Sequence, residues 1–289
     1  MGGILIWATT AFLAIGFWLL AKAGSPDSFL ASLNFLTREQ TFLPLGILIF
    51  AALIGLADDL IGISKIGGRG TGLRVQRRLI IYTIIAIIGA LWFYFKLDWD
   101  LIHLPFIGNF NIGLWYIPIF IFIVTATAFS TNQTDGLDGL AGGVLLVAFS
   151  SYAIISYSQG RFELATFCGV IGGALLAFLW FNIYPARFFM GDTGSMSLGI
   201  TLGVIAMLTN SLFFLPFIGF ILVIESLTTI IQVVSKKVRN KKVFLSAPVH
   251  HHFEAKGWPE TKVTMRFWII AGVIAAIGLI LYFIDINLI

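Results

Sequence analysis

Residues 114–157 read LWYIPIFIFIVTATAFS, then TNQTDGLDG, then LAGGVLLVAFSSYAIISY. Two apolar runs without a charged residue therefore enclose one short polar segment. A helix needs roughly 17–25 apolar residues to cross a bilayer, and each run is long enough. The polar segment 131–139 holds Asn132, Asp135 and Asp138 at the point where one span would end and the next begin. This stretch predicts a helical membrane protein with reactive side chains in its connections.

The same pattern continues along the chain. Charge-free runs predict nine spans, at 3–21, 41–57, 79–95, 114–130, 140–157, 164–181, 195–208, 212–234 and 267–284. The alternation of apolar and polar residues that marks barrel strands is absent, and only helices and closed barrels satisfy backbone hydrogen bonds in lipid. We therefore predict an all-α, polytopic membrane protein in which residues 1–289 form one domain.

Composition supports this fold class. The chain is 58% hydrophobic and only 11% charged, whereas a soluble domain carries roughly 25% charged residues. A surface so poor in charge would not stay dissolved, which excludes an ordinary soluble protein. Cys168, the only cysteine, lies in an apolar run and is expected to be a small buried side chain.

Basic residues indicate which side of the membrane each connection faces. If the nine spans alternate, one set of loops comprises 58–78, 131–139, 182–194 and 235–266. This set holds all 18 Lys and Arg residues except Lys22, Arg38, Lys96 and Arg161. Because cytoplasmic loops are enriched in Lys and Arg, we expect these four loops in the cytoplasm. The N-terminus would then lie inside and the C-terminus outside.

Nearly all side chains capable of chemistry lie in the same four loops, so we expect one site assembled from several helix ends. Asp58 and Asp59 end a predicted span, where the helix dipole disfavours negative charge. A magnesium ion would stabilise them, since Mg²⁺ takes one or two carboxylates together with phosphate and water. The alternative is that both are solvated loop acids facing Lys65 and Arg69.

Two further acidic segments flank spans. Asp135 and Asp138 would share one face of a helix; helix N-capping is the alternative, which explains one Asp but not two. Asp192 lies in GDTGS at 191–195, at the start of the seventh span, where glycine backbone N–H groups can meet a phosphate. Asp192 would either cap that helix or bind a metal.

Residues 250–252 are three consecutive histidines. Three neighbours cannot all face one ion and the chain has no paired cysteines, so a zinc site is not expected. Histidine suits contact with a diphosphate or acid–base work near neutral pH, and a solvated loop is the alternative. Glu225 lies within the eighth span and is a functional candidate without a partner visible in the sequence. The basic run 236–242 fits membrane orientation and headgroup contact.

Together these segments resemble the polyprenyl-phosphate N-acetylhexosamine-1-phosphate transferases over essentially the whole chain. The resemblance rests on Asp58-Asp59 followed by Lys65, on NQTDGLDGL at 132–140, on LWFN at 179–182 and on FMGD at 189–192. APVHHHFE at 247–254 and KGWPE at 256–260 are similar to the branch of the phospho-N-acetylmuramoyl-pentapeptide transferases, or translocase I enzymes.

The resemblance implies a magnesium-dependent enzyme of the bacterial cytoplasmic membrane with its active site on the cytoplasmic face. Such an enzyme transfers phospho-N-acetylmuramoyl-pentapeptide from its UDP conjugate to undecaprenyl phosphate, giving UMP and lipid I of peptidoglycan synthesis. The expected partners are these two substrates and membrane lipid, with no nucleic acid; a homodimer is a family expectation.

The resemblance also implies roles for individual residues. The catalytic set is Asp58, Asp59, Asp192 and His250, with Asp192 and Asp58 as metal ligands and one aspartate of the 58–59 pair as a base. The substrate-binding set is Asn132, Asp135, Asp138, Asn182, Phe189, His251, Lys65 and Arg78. Within it, Phe189 is expected to stack on uracil.

The chain departs from the family pattern in three places. The family has ten spans, and the first is expected to be missing here, because this chain begins with the Met1-Gly2-Gly3 that follows that span. Arg78 stands where the pattern has a lysine; arginine binds phosphate bidentately but is not a tunable amine. Phe129 stands where an asparagine is expected.

Two other functions compete with this interpretation. An N-acetylglucosamine-1-phosphate transferase would carry a different histidine motif in the last cytoplasmic loop. A transporter would show ionisable residues within spans and inverted repeats. Here Glu225 is the only such residue noted, and no repeat is apparent.

Overall fold

The computed structural model describes residues 1–25, 29–37, 40–63 and 75–288. Within these ranges the chain forms twelve α-helices and one β-hairpin. The helices are α1 Gly3–Ala23, α2 Phe29–Ser32, α3 Phe42–Ile63, α4 Val75–Lys96, α5 Tyr116–Thr134, α6 Leu140–Ser158, α7 Phe162–Asn182, α8 Gly191–Leu208, α9 Leu215–Ile218, α10 Phe220–Arg239, α11 Val249–Ala255 and α12 Glu260–Leu288.

Eight of the helices in the described part of the chain are long and apolar enough to cross a membrane: α1, α3 to α8 and α12. A bent pair, Leu212–Ile218 with Phe220–Arg239, raises the number to nine if the pair counts as one span. The predicted polytopic helical fold is therefore confirmed.

The eighth predicted span, 212–234, corresponds to this bent pair and is not one straight helix. Its two halves meet at Gly219 with an angle of 86°. Pro216 lies in the first turn of α9, where a missing N–H costs nothing. Beyond the bend, α10 buries one polar face and exposes an apolar one. The buried polar residues are Glu225, Ser226, Thr228, Gln232 and Ser235.

Helix α8 is the centre of the bundle, and every residue from Thr193 to Leu208 is buried. Glycines let its neighbours approach closely. A Cβ at Gly55 of α3 would lie 2.4 Å from the Asp192 carbonyl oxygen, and a Cβ at Gly199 would lie 2.8 Å from Cα of Ala128 in α5. Small residues at such contacts are typical of helix packing in membranes. The N-terminal end of α8 is therefore held between α3 and α5.

The far end of the bundle carries a β-hairpin that the sequence did not predict. Strand β1, Leu101–Leu104, pairs antiparallel with β2, Gly108–Asn111. Asp285, fully buried near the end of α12, fastens it: the carboxylate lies 2.6 Å from His103 Nε2 and accepts a hydrogen bond from the Phe106 N–H at 2.6 Å. Cys168 is buried, as expected.

Candidate active site

The N-terminus of α8 forms the floor of the site. The first N–H groups of a helix have no partner within it. Asp59, near the end of α3, supplies one: its two carboxylate oxygens accept hydrogen bonds from the N–H groups of Asp192 at 3.0 Å and Thr193 at 3.2 Å. A carboxylate is also favoured at the positive end of the helix dipole. The residue that caps this helix is thus Asp59, and Asp192 is left to face the site.

Asp135 approaches the same helix end from the turn after α5, where its carboxylate accepts a hydrogen bond from the Gly191 N–H at 3.1 Å. Burial among neighbouring atoms raises the pKa of the Asp135 carboxyl to about 7, and the nearby Asp192 and Asp59 act in the same direction. Residues 135–139 form a turn, so the expectation that Asp135 and Asp138 share a helix face was wrong.

Arg78, in the first turn of α4, joins three of the predicted residues. Its Nε donates to Asp58 Oδ2 at 2.9 Å, and its terminal nitrogens lie 2.5 Å from Asp192 Oδ2 and 3.3 Å from Asn132 Oδ1. The Asn132 amide donates in turn to Asp192 Oδ1 at 2.6 Å. Helices α3, α4, α5 and α8 thus bring their polar ends to one point. We call Asp58, Arg78, Asn132 and Asp192 the arginine cluster.

The arginine cluster fits a divalent cation by its chemistry. Asp58 and Asp192 direct carboxylate oxygens at the same cationic group, and a hard cation such as Mg²⁺ takes such oxygens with phosphate and water completing its shell. No group of three or more His, Cys, Asp or Glu residues capable of holding a metal occurs among the described residues. The arginine cluster supplies two carboxylates, those of Asp58 and Asp192, and a metal role for them stays a prediction.

Asp138 and Asn182 hold the neighbouring loops together. Asp138 accepts a hydrogen bond from the Ala186 N–H at 2.9 Å, and Asn182 accepts one from the Gly139 N–H at 3.1 Å while donating to the Phe188 carbonyl at 3.0 Å. The structure therefore gives both residues a scaffolding contact; direct substrate contact stays a prediction.

Phe189 and the histidines lie at the rim of the site. The Phe189 ring is exposed, as a ring that stacks on a base must be. His250 is buried and pairs through Nδ1 with Glu225, whereas the half-exposed His251 pairs through Nδ1 with Glu254 at 2.6 Å. Lys65 lies outside the described residues, so its predicted role is not addressed by the structure.

Two contacts of the site were missed in the sequence. Glu260 accepts a hydrogen bond from the Asp138 N–H at 2.6 Å, and Glu225 contacts His250. Glu260 belongs to the KGWPE segment and Glu225 to a predicted span, so the sequence could have marked both residues as functional candidates. Their partners lie 122 and 25 residues away, a pairing that a single sequence does not reveal.

Comparison with known proteins identifies the family. Residues 41–210 match glycosyl transferase family 4. The chain is 37% identical over 292 aligned positions to the phospho-N-acetylmuramoyl-pentapeptide-transferase of Chloroflexus aggregans, covering 96% of this chain and 75% of that protein. Identity is 40% to the enzyme of the same name from Desulforapulum autotrophicum, with coverages of 81% and 70%. It is 44% to that of Clostridium perfringens, with coverages of 78% and 69%.

These matches extend over the segments that build the site, from the end of α3 to the start of α8. The chain therefore belongs to glycosyl transferase family 4 and, within it, to the phospho-N-acetylmuramoyl-pentapeptide-transferases.

Proposed function

We propose that this protein transfers phospho-N-acetylmuramoyl-pentapeptide from its UDP conjugate to undecaprenyl phosphate, with release of UMP and formation of lipid I. The observation that carries the proposal is the arginine cluster, in which side chains from four helices converge at the N-terminus of α8. The names of the relatives support phospho-N-acetylmuramoyl-pentapeptide as the transferred group.

We also propose that Asp192 and Asp58 hold a magnesium ion during the reaction. When bound, the ion would neutralise negative charge on the donor diphosphate. The protein's own contribution is positioning and electrostatic stabilisation, which dominate catalysis of phosphoryl-type transfer.

The remaining roles follow from the contacts. Arg78 binds a donor phosphate through its guanidinium, and Phe189 stacks on the uracil. Asp59 keeps the N-terminus of α8 in place through the two N–H groups that it caps. The bond changes are balanced: an oxygen of the lipid phosphate bonds to the phosphorus next to the sugar, and the bond from that phosphorus to the bridging oxygen breaks. The bridging oxygen leaves with UMP.

An apolar groove beside the arginine cluster suits the lipid chain of the acceptor. This cavity of about 770 Å³ lies between α4, α5 and the broken pair α9–α10. Its lining includes Leu79, which follows Arg78 directly, and Phe129, Leu222, Val223 and Leu227. Phe129, one of the departures from the family pattern, thus faces lipid rather than nucleotide. We infer that the prenyl chain lies in this groove with its phosphate toward Arg78.

The decisive experiment supplies the purified protein with undecaprenyl phosphate and one UDP-sugar at a time, and measures UMP release. We expect release with UDP-N-acetylmuramoyl-pentapeptide and none with UDP-N-acetylglucosamine. The reverse preference would make the protein an N-acetylglucosamine-1-phosphate transferase. No release with either donor would refute a transferase function.

The metal role has its own test. Asp192→Asn should abolish UMP release at every magnesium concentration, because a carboxylate ligand is lost. Asp98→Asn, an exposed acid at the opposite end of the bundle, is the matched control and should retain the wild-type rate. A near-normal rate for Asp192→Asn would remove that residue from the metal site.

A further inference from the structure

Glu225 is fully buried on the polar face of α10, and its neighbour is His250 of α11, which is 1% exposed. The carboxylate oxygen Oε2 lies 2.9 Å from His250 Nδ1. A buried ionised carboxylate is costly unless it is paired and hydrogen-bonded, and the His250 imidazole is its partner here. The pair joins α10 to α11, the short helix that carries the three histidines.

This contact fixes how the imidazole carries its protons. An ionised carboxylate only accepts hydrogen bonds, so Nδ1 of His250 must hold a proton and donate it to Glu225. Nε2 is then the ring nitrogen that remains available for a second hydrogen bond. It has no hydrogen-bond partner within the described ranges of the chain, although it is buried. A buried ring nitrogen without a hydrogen-bond partner in the protein indicates that its partner is a group of the bound substrate.

Nε2 faces the turn that follows α5. Nε2 abuts Gly136, where a Cβ would lie only 2.4 Å from the nitrogen. Gly136 follows Asp135, which contacts the N–H of Gly191 at the start of α8. His250 therefore directs its free nitrogen at the turn that borders the floor of the site.

We propose that Glu225 is the positioning residue of His250: it holds the ring with Nε2 toward the 135–139 turn and supports a proton on that nitrogen beside the donor diphosphate. The proposal rests on the proposed function, because it concerns the same site. Glu225 itself does not touch substrate. It acts through His250, as the carboxylate partner of a catalytic histidine fixes the tautomer and stabilises the imidazolium.

Other titratable groups lie on the segments packed next to this pair. They are Asp135 and Asp138 of the turn, His251 and Glu254 of α11, and Glu260, Lys262 and Arg266 of α12. Several are engaged elsewhere, since Glu254 pairs with His251 and Glu260 accepts the Asp138 N–H. All of them stay in place when only Glu225 is changed, so a difference between Glu225 variants reports on the Glu225–His250 pair.

Two substitutions separate position from charge. Glu225→Gln keeps an oxygen that accepts from Nδ1 but removes the negative charge; Glu225→Leu removes both. Thr228→Val is the matched control, because the Thr228 hydroxyl is buried one turn further along α10 and its hydrogen bonds go to carbonyls of that helix. Each variant is assayed for UMP release across pH, with kcat and KM for the donor determined separately.

For Glu225→Gln we expect KM for the donor to stay near the wild-type value and kcat at neutral pH to fall about a hundredfold. Because the negative charge beside the ring is lost, the pH–kcat profile should change in shape as well as in height. Glu225→Leu should lose more activity, and Thr228→Val should match the wild type.

A profile for Glu225→Gln with wild-type limbs and a uniformly reduced rate would overturn the proposal, as would an unchanged rate. A second readout needs no turnover. Nitrogen-15 NMR of histidine-labelled protein, which has four His residues, should show Nδ1 of His250 protonated in the wild type. The signal is assigned by its loss in His250→Gln. A wild-type ring protonated only on Nε2 contradicts the Glu225 role even if the substrates are wrongly assigned, so the two failures are distinguishable.

Discussion

At the scale of single residues, Arg78 determines the geometry of the site. One planar guanidinium spans Asp58, Asn132 and Asp192, which a lysine ammonium, being a compact point charge, would not bridge in the same way. Buried or half-buried carboxylates that lose their cation are left uncompensated, which is strongly destabilising.

We predict that Arg78→Gln lowers kcat/KM for the UDP donor by about a hundredfold or more, whereas Arg78→Lys retains a measurable rate with a raised donor KM. Steady-state UMP release measures both. Arg77→Gln is the control, since Arg77 is the exposed neighbour on the same helix turn. Equal rates for Arg78→Gln and wild type would show that the guanidinium takes no part in the reaction.

Polar residues that are scarce in a membrane protein could be found from the sequence alone. Asp58, Asn132 and Asp192 were expected together, and the structure brings them together. A single sequence does not show which groups donate hydrogen bonds to each carboxylate. Asp59 is adjacent to Asp58 but points at backbone N–H groups instead, because the two side chains leave their helix about 100° apart.

At the scale of elements, the contact between α3 and α8 holds the site together. A Cβ at Gly55 would meet the Asp192 carbonyl oxygen at 2.4 Å, an overlap that only a backbone shift relieves. Gly55→Ala should therefore cost about 1–3 kcal/mol of stability and displace Asp192, with a matching loss of UMP release.

Gly46→Ala is the control for this substitution. Gly46 lies on the same helix with nothing within 4 Å of an added Cβ, and alanine is the better helix former. Thermal unfolding in detergent should leave Gly46→Ala at or above the wild-type melting temperature. If Gly55→Ala has the same melting temperature as Gly46→Ala, helices α3 and α8 are not in the close contact described.

The apolar groove allows a separate prediction. Val223→Trp fills it from α10 and should raise KM for undecaprenyl phosphate about tenfold, with little change in KM for the UDP donor. Ile231→Trp, on an exposed position of the same helix outside the groove, should change neither constant. A rise confined to the donor KM would place the lipid chain elsewhere.

Element boundaries show where sequence reasoning succeeds and fails. The predicted runs 79–95 and 195–208 match the apolar parts of α4 and α8, whose helices extend further at their N-terminal ends, to Val75 and Gly191. The 86° bend at Gly219 escaped detection because both halves are apolar, and Pro216 and Gly219 were the available signals. The direction of the bend depends on packing of α9 against α12, where Phe217 approaches Gly278.

At the scale of the whole molecule, the two ends of the bundle differ in kind. The arginine cluster, helix α11 and the basic end of α10 share one end, while the β-hairpin lies at the other. The excess of Lys and Arg near the first end predicts that it faces the cytoplasm.

Cysteine labelling tests this orientation. In a Cys168→Ala background, a membrane-impermeant maleimide added to intact cells should label Ile107→Cys at the tip of the hairpin and leave Lys242→Cys unlabelled. Lysed cells should show both labelled, since both positions are exposed. Labelling of Lys242→Cys alone in intact cells would invert the proposed topology.

The complete enclosure of α8 has a consequence for biogenesis. Of the eight helices able to span a membrane by themselves within the described chain, α8 is the least apolar and by far the most enclosed. A segment rich in Gly, Ser and Thr gains little free energy from contact with lipid alone. Its stability in the bilayer therefore depends on packing against helices that are inserted before and after it. The segment that carries Asp192 should therefore be retained in the bilayer only once α3 and α5 have been inserted beside it.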